Sequence, residues 1–327
     1  MQNTGANAST WTLSFLRERR EVLSGALPIV VLLSLVGAVI AVQPAFFSMY
    51  GLRVILGESS AILLLATGQT LVIIIAGIDL SIAAMASLAS LVLALALPRY
   101  GIAAVAITLA LTTTLGSIQG YVHAKAQVPS FVVTLAGMGL WSGIALAVAL
   151  GSVPVSEGYW VISWLKANVL GIPVSFLAAF GVLLILAAFV ALTPLGRYIY
   201  AIGIGETASL LSGVRVTNIK VAVFAISGLF AGLAAILMVA RNASGHPILV
   251  HGLLLPSIAA VVIGGTAITG GYGSLGRTLA GVLIVTVLRV GITVVGLDAG
   301  YEPLVYGVLM IGAVALTIDR SKNAIVK

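Results

Sequence analysis

The chain has 327 residues, of which 61% are hydrophobic and only 8% are charged. A soluble domain has roughly 45–50% apolar and about 25% charged residues, so this composition excludes a water-soluble enzyme. Basic residues outnumber acidic ones by 16 to 9, and the absence of cysteine excludes disulfides and cysteine-ligated metal centres. The composition predicts an all-α membrane protein that crosses the bilayer many times.

A polar N-terminal segment, residues 1–24, is expected in the cytoplasm and precedes a series of apolar runs. A transmembrane helix needs about 20 mostly apolar residues, and turn-forming residues separate the runs. The runs lie at residues 26–43, 51–77, 81–97, 101–121, 130–150, 173–193, 219–240, 257–270, 276–297 and 302–318. They predict one transmembrane domain of about ten helices, residues 25–320, and a cytoplasmic tail at 321–327.

The distribution of lysine and arginine predicts the orientation of these helices. Cytoplasmic loops of membrane proteins collect basic residues. With the N-terminus inside, eleven basic residues fall inside and five fall outside. Both termini are therefore expected in the cytoplasm, and residues 151–172 form a predicted periplasmic loop. Five helices on either side of the central loops also permit two inverted halves, a plan that many transporters use.

The second long connection, residues 194–218, is expected in the cytoplasm. Good helix formers run through Glu206–Ser212 and are followed by Gly213, which predicts a short helix that ends at this glycine. Leu210 and Leu211 are apolar residues on a cytoplasmic loop, where exposure to water gains nothing. They indicate burial either against a partner protein or against the chain's own helices.

Asp79 is the most informative acidic residue, because it interrupts an apolar stretch directly after Gly77 and Ile78. A carboxylate in the membrane is costly and by default indicates function. The same carboxylate can accept hydrogen bonds from the free backbone N–H groups of a helix that begins at Leu80-Ser81. Two interpretations stay open for Asp79 and the nearby Gln69, which belong either to a transport pathway or to a helix cap.

Other polar and small residues favour structural interpretations. The segment Gly271–Thr278 fits the pattern G-x-G-x-x-G, but that motif requires a strand in a soluble α/β unit, and apolar runs flank it here. It predicts a tight turn, and the chain is not expected to bind ATP. The three histidines lie apart, so neither a metal site nor a catalytic cluster is expected. Glycine pairs spaced four apart, starting at Gly116, Gly139 and Gly228, predict close packing of helices within the chain.

Arg53, Glu58 and Arg289 are expected near the outer ends of their helices. Long arginine side chains can extend to the membrane interface, so these residues require no buried partner. The basic residues occur singly or in pairs between apolar runs, a pattern that gives no basic surface for nucleic acid.

Three segments resemble one family of membrane proteins. Residues 69–81, QTLVIIIAGIDLS, resemble the signature TLVIISGGIDLS of the ribose/xylose/arabinose permeases of bacterial ATP-binding-cassette importers. Residues 195–203, together with Glu206 and Gly213, are similar to the central cytoplasmic loop of that family. Residues 258–266, IAAVVIGGT, are similar to its IAAVVLGGTSLAGG stretch. The similarity runs in order from about residue 50 to the C-terminus.

The resemblance implies the membrane-spanning permease subunit of an importer in the bacterial inner membrane. It implies a cytoplasmic ATPase that binds the ATP, a periplasmic solute-binding protein, and a second permease copy or homologue. No cofactor is expected on this chain itself. The loop 194–218 is then expected to couple to the ATPase through Glu206, Leu210 and Leu211, with Gly213 ending the coupling helix.

The chain departs from the family pattern at several positions, including Leu254 and Pro256, where members often carry acids, and Arg289, where they often carry asparagine. The expected substrate is therefore a sugar, polyol or similar small polar solute. A stand-alone secondary carrier or channel is the alternative, but the apolar runs lack the acids and histidines of a proton relay. A membrane-embedded enzyme would need a catalytic cluster that the sequence does not show.

Overall fold

The computed structural model describes residues 33–37 and 39–317. The predicted cytoplasmic segment 1–24, most of the first predicted helix at 26–43, and the predicted tail at 321–327 lie outside the described residues. Within that first predicted helix, residues 33–37 and 39–42 are helical.

Helices make up most of the described chain. They are α1 (Met49–Ile74), α2 (Ile82–Tyr100), α3 (Ala103–Ala126), α4 (Ser130–Val148), α5 (Trp160–Ser163), α6 (Val174–Leu192), α7 (Pro194–Ile204), α8 (Glu206–Leu211), α9 (Val216–Asn242), α10 (Leu254–Ile263), α11 (Leu275–Val294) and α12 (Glu302–Thr317). Four two-residue strands complete the fold: β1 (Val153–Pro154), β2 (Asn168–Val169), β3 (Ile172–Pro173) and β4 (Ser244–Gly245). Strand β1 pairs antiparallel with β4, and β2 pairs antiparallel with β3.

Among the described residues, seven helices are long and apolar enough to cross a membrane: α1, α2, α3, α4, α6, α9 and α11. The prediction of an all-α, multi-pass membrane protein is therefore confirmed. The bounds predicted for the helix at 257–270 are wrong, because α10 ends at Ile263. The N–H of Gly265 donates to the Val262 carbonyl and that of Thr266 to Val261. With Gly265 at φ +86°, these two bonds form the left-handed ending that terminates helices.

The most buried of the long helices are α1, α2, α9 and α11, whereas few residues of α4 and α6 are buried. Lipid offers no hydrophobic driving force between helices, so close packing depends on small residues. Helix α9 crosses α3 where Gly228 faces the Thr112 carbonyl and Gly116 faces that of Phe224, and a Cβ on either glycine would overlap these oxygens. The prediction of packing within the chain holds for these two glycine pairs. It is wrong for Gly139, which has open space around it.

The connections between helices gather at two opposite ends of the bundle. At the end that we call the helical end, the turn before α11 packs on the C-terminus of α1, where the Gly271 N–H donates to the Ile74 carbonyl at 2.8 Å. Helix α7 joins them there through the Tyr200 hydroxyl, which donates to the Gly273 carbonyl at 2.9 Å.

The opposite end, which we call the hairpin end, carries the long connection before α6. Its strand β1 pairs with β4, and the Val155 N–H donates to the Ala243 carbonyl at 2.9 Å. The β2–β3 hairpin is held to α1 because Arg53 Nε donates to the Gly171 carbonyl at 3.1 Å. The two loops that the sequence predicts on opposite sides of the membrane therefore lie at opposite ends of the bundle.

Cysteine labelling tests this arrangement, since the chain has no cysteine of its own. Ser156 lies at the hairpin end and Thr207 at the helical end, and both are exposed. A Ser156→Cys variant should react with a membrane-impermeant thiol reagent added outside intact cells, whereas Thr207→Cys should react only after the membrane is opened. Labelling of both positions from one side would contradict the fold.

Candidate functional site

The first candidate site is the break between α1 and α2, which contains Asp79. Helix α1 ends at Ile74, and Ala76 then adopts φ +60°, a conformation that a residue with a Cβ rarely takes. Asp79 is fully buried five residues after the end of α1. A buried carboxylate in such a place must have hydrogen-bond donors around it, because its desolvation is otherwise too costly.

Three donors surround the Asp79 carboxylate. The Ser81 N–H donates to Oδ1 at 2.9 Å and the Ser81 hydroxyl donates to the same oxygen at 2.6 Å. The Ser227 hydroxyl, from α9, donates to Oδ2 at 2.7 Å. The Ser81 hydroxyl oxygen also lies 2.8 Å from the amide oxygen of Gln119 on α3. The carboxylate therefore sits at the N-terminus of α2 and at the same time links the break to α9.

The backbone of the break is satisfied by side chains from the surrounding helices. Gln69 on α1 faces the Asp79 peptide: oriented to match it, the amide donates to the Asp79 carbonyl and accepts from its N–H, both at 3.2 Å. On α4, Ser130 accepts from the Ile78 N–H at 3.1 Å and Thr134 donates to the Ile78 carbonyl at 3.0 Å. Gln69 and Asp79 are thus in contact, as members of one buried polar cluster.

The second candidate site is the element α7–α8 at the helical end. Leu210 and Leu211 of α8 are 61% and 84% exposed, and Ile204 at the end of α7 is 80% exposed. The alternative that the two leucines pack onto the chain's own helices is therefore wrong. Helix α7 is absent from the prediction, although Pro194 at its first position is a frequent start of a helix.

Gly213 and Glu206 fix the shape of α8. Gly213 adopts φ +84°, its N–H donates to the Leu210 carbonyl at 3.0 Å, and the following N–H of Val214 donates to Ser209 at 3.1 Å. This pattern ends the helix at Leu211, one residue before the predicted end. Glu206 Oε1 pairs with Lys220 Nζ at 2.7 Å, which ties the start of α8 to α9. Glu206, which the resemblance implies in coupling to an ATPase, thus has an ion-pair partner within the chain.

The third candidate site is a cavity of about 680 Å³ at the hairpin end, lined by α1, the β2–β3 hairpin, the end of α9 and the connection before α10. Its charged lining residues are Arg53, Glu58, Lys166, Arg241 and Arg289. Serine, asparagine and tyrosine side chains line it as well, and the rest of the wall is apolar and includes Leu165, Leu237 and Met238. A cavity with charged and polar side chains in its wall can accommodate a polar solute.

Two ion pairs join helices near this cavity. Arg241 of α9 pairs with Glu58 of α1, and Arg289 of α11 pairs with Glu302 of α12 at 3.4 Å. Arg289 and Glu58, which the sequence analysis expects to require no buried partner, are therefore both paired. Sequence reasoning missed this cavity, because Glu58 and Arg241 are 183 positions apart. An acid within an apolar run was the one available signal.

Comparison with known proteins identifies the family. A family model described as the permease component of the branched-chain amino acid transport system matches residues 51–314. The ribose import permease protein RbsC of Escherichia coli K12 is 36% identical over 322 residues, which is 96% of this chain and 97% of the relative. The chain belongs to the sugar permeases of ATP-binding-cassette importers.

Further relatives bear other sugars in their names. The fructose import permease protein FrcC of Rhizobium meliloti is 32% identical to the permease over 315 residues, 89% of this chain and 84% of the relative. The D-allose transport system permease protein AlsC of Escherichia coli K12 is 32% identical over 262 residues, 79% and 80% of the two chains. No solved structure matches.

Substitution of Asp79 separates its two interpretations. Asp79→Asn keeps an oxygen that accepts from Ser81, and its amide can donate to the Ser227 hydroxyl, so most of the thermal stability and of the uptake should remain. Asp79→Leu leaves buried donors without a partner and should lower the free energy of unfolding by about 1–3 kcal/mol. Thermal unfolding in detergent and uptake by vesicles measure both. If Asp79→Asn unfolds normally but transports nothing, the negative charge itself is required for transport.

Proposed function

We propose that the permease imports a sugar or similar small polar solute across a bacterial inner membrane, as one subunit of a larger complex. The observation that carries this proposal is the similarity to named sugar import permeases over nearly the whole chain. The other subunits are a cytoplasmic ATPase that binds and hydrolyses the ATP, a periplasmic solute-binding protein, and a second permease copy or homologue. The permease itself carries no cofactor and performs no chemistry.

The proposed topology has about ten transmembrane helices with both termini in the cytoplasm. The short apolar helices α10 and α12 then join the seven long ones, and the predicted helix at 26–43 completes the set. Within the described residues each end of the bundle carries five basic residues. The predicted excess of basic residues inside therefore depends on the two terminal segments, residues 1–24 and 318–327. An arrangement in two inverted halves is part of this proposal.

The ATPase is proposed to dock on α8 at the helical end. Exposed leucines at a cytoplasmic surface favour burial in a groove of a partner, the mode in which a short helix presents its apolar side chains. The Glu206–Lys220 pair holds α8 against α9 and so orients Leu210 and Leu211 outward. Glu206 thus serves the coupling element by positioning it, and Gly213 by ending it.

The solute is proposed to enter through the cavity at the hairpin end, opposite the docking helix. Charged and amide side chains there can replace the water around a hydroxylated solute. Asp79 is proposed to cap α2, and the polar cluster around it to join α2 to α1, α3, α4 and α9, because each Asp79 carboxylate oxygen already has a donor within the chain. This favours the importer over a carrier that works alone, since an acid in an ion pathway must be free to exchange its partner.

Substitutions in α8 test the docking proposal. Leu211→Asp places a charge in the apolar contact, and Gly213→Val places a Cβ where φ is +84°, which distorts the end of the helix. Both variants should insert in the membrane at wild-type levels but lose the ATPase on co-purification, together with ATP hydrolysis stimulated by solute and binding protein.

The matched control is Leu170→Asp, the same change at a leucine that is 94% exposed at the hairpin end. It should retain the ATPase. Full retention of the ATPase by both α8 variants would show that docking occurs elsewhere.

A bulky residue in the cavity tests the entry route. Gly57 lies in α1 at the cavity wall, and its nearest neighbour beyond its own helix is Pro173 Cγ at 4.0 Å from an added Cβ. Gly57→Phe should fold normally and retain the ATPase, but uptake should fall because the ring fills the cavity. Gly181→Phe is the control, since Gly181 on α6 has open space and does not line the cavity. Equal uptake by both variants would contradict the entry route.

A further inference from the structure

The backbones of three segments meet at Gly203, near the end of α7. A Cβ on Gly203 would overlap the carbonyl oxygen of Ile74, the last residue of α1, and would lie 2.9 Å from Gly271 Cα in the turn before α11. Gly271 in turn donates its N–H to the same Ile74 carbonyl at 2.8 Å. Because only glycine lets main chains approach so closely, the contact joins α7, α1 and the turn without flexible side chains between them.

One side chain reinforces this junction. The Tyr200 hydroxyl, one turn before Gly203 in α7, donates to the Gly273 carbonyl at 2.9 Å. Burial raises the pKa of the Tyr200 phenol above its usual value, so the group stays protonated and can donate. A Cβ added to Gly270 would lie 2.8 Å from the backbone nitrogen of Ala76, which follows the end of α1. A displacement of α7 therefore meets the backbones of both neighbours directly.

The two helices that touch this junction both extend to the cavity at the other end of the bundle. Helix α1 has 26 residues, about 39 Å at 1.5 Å per residue, and carries Arg53 and Glu58 in the cavity wall. Helix α11 begins just after the turn and carries Arg289 in the same wall. A buried hydrogen bond of 2.7 Å between Thr70 and Thr278 joins the two helices close to the junction.

We propose that Gly203 is the positioning residue that transmits movement of the docking element α7–α8 to α1 and α11, and through them to the solute cavity. Packed interfaces move as units rather than deforming continuously, so a shift of α7 by an ångström or two changes the tilt of both helices. This inference rests on the proposed docking of an ATPase at α8.

Gly203→Ala tests the junction in the complete complex, reconstituted in vesicles with its ATPase and binding protein. The methyl group separates α7 from the Ile74 carbonyl, whereas the docking surface on α8 is unchanged. The variant should co-purify with the ATPase as the wild type does, but uptake per ATP hydrolysed should fall by about 5- to 150-fold, the range of typical coupling free energies. Gly205→Ala is the matched control, because its Cβ finds only an ordinary contact of 3.6 Å with Ala208. It should keep the wild-type ratio.

A second variant decides the question if Gly203→Ala does not assemble. Tyr200→Phe removes the hydrogen bond to Gly273 without adding volume, and uptake per ATP should fall by about fivefold, which corresponds to one hydrogen bond. Tyr198→Phe, a change at an exposed tyrosine of the same helix, should have no effect. A wild-type ratio in Gly203→Ala, or in Tyr200→Phe when Gly203→Ala fails to assemble, overturns the junction. These results are distinct from a failure of the docking proposal, which would show itself when Leu211→Asp retains the ATPase.

Discussion

The membrane requires that backbone polar groups be satisfied within the protein, and the rest of this structure depends on how that requirement is met at the break between α1 and α2. The chain there leaves the helical conformation over residues 75–81, where Asp79 is fully buried although Ala76 is exposed. Gln69, Ser130 and Thr134 supply the hydrogen bonds that a helix would have supplied. Gln69 lies on α1 and the other two residues lie on α4, so satisfying the break also fixes how these two helices pack around the start of α2.

The glycines at the helix contacts are explained by the need for close packing. In lipid, helices associate through close packing rather than through exclusion of apolar surface from water. Gly228 and Gly116 let α9 and α3 approach until a glycine of one helix touches a carbonyl of the other. Gly203 likewise lets the short helix α7 approach the carbonyl at the end of α1. Two features make the bundle stiff between its two ends. One is the break whose backbone is hydrogen-bonded by side chains, and the other is the set of backbone contacts at glycines.

That stiffness gives the two ends a physical connection. The helical end presents leucines to water, which is unfavourable for a protein alone and natural for a subunit that is covered by a partner. The hairpin end holds a polar cavity whose wall is braced by the Arg241–Glu58 ion pair. Because α1 runs as a single uninterrupted helix from its contact with Gly203 to the wall of the cavity, the two ends of the bundle share one element.

The sequence by itself determined the class of the protein, since no composition with 61% hydrophobic residues can form a soluble surface. It determined the helix ending at Gly213 as well, because a left-handed C-terminus is a local property that glycine alone adopts readily. For Asp79 it indicated a possible cap at the start of a helix, which is also a local property, and left a role in a transport pathway open.

Only the tertiary structure decided which distant residues meet. The Asp79–Ser227 bond joins positions 148 apart, and the cavity pair Glu58–Arg241 joins positions 183 apart. It also decided that Gly139 faces open space while Gly228 packs against Thr112, although the two glycine patterns look alike in the sequence. The physical reason is that nearly every residue of these helices is apolar, so the hydrophobic pattern does not say which face turns inward. That choice is made by the packing partners.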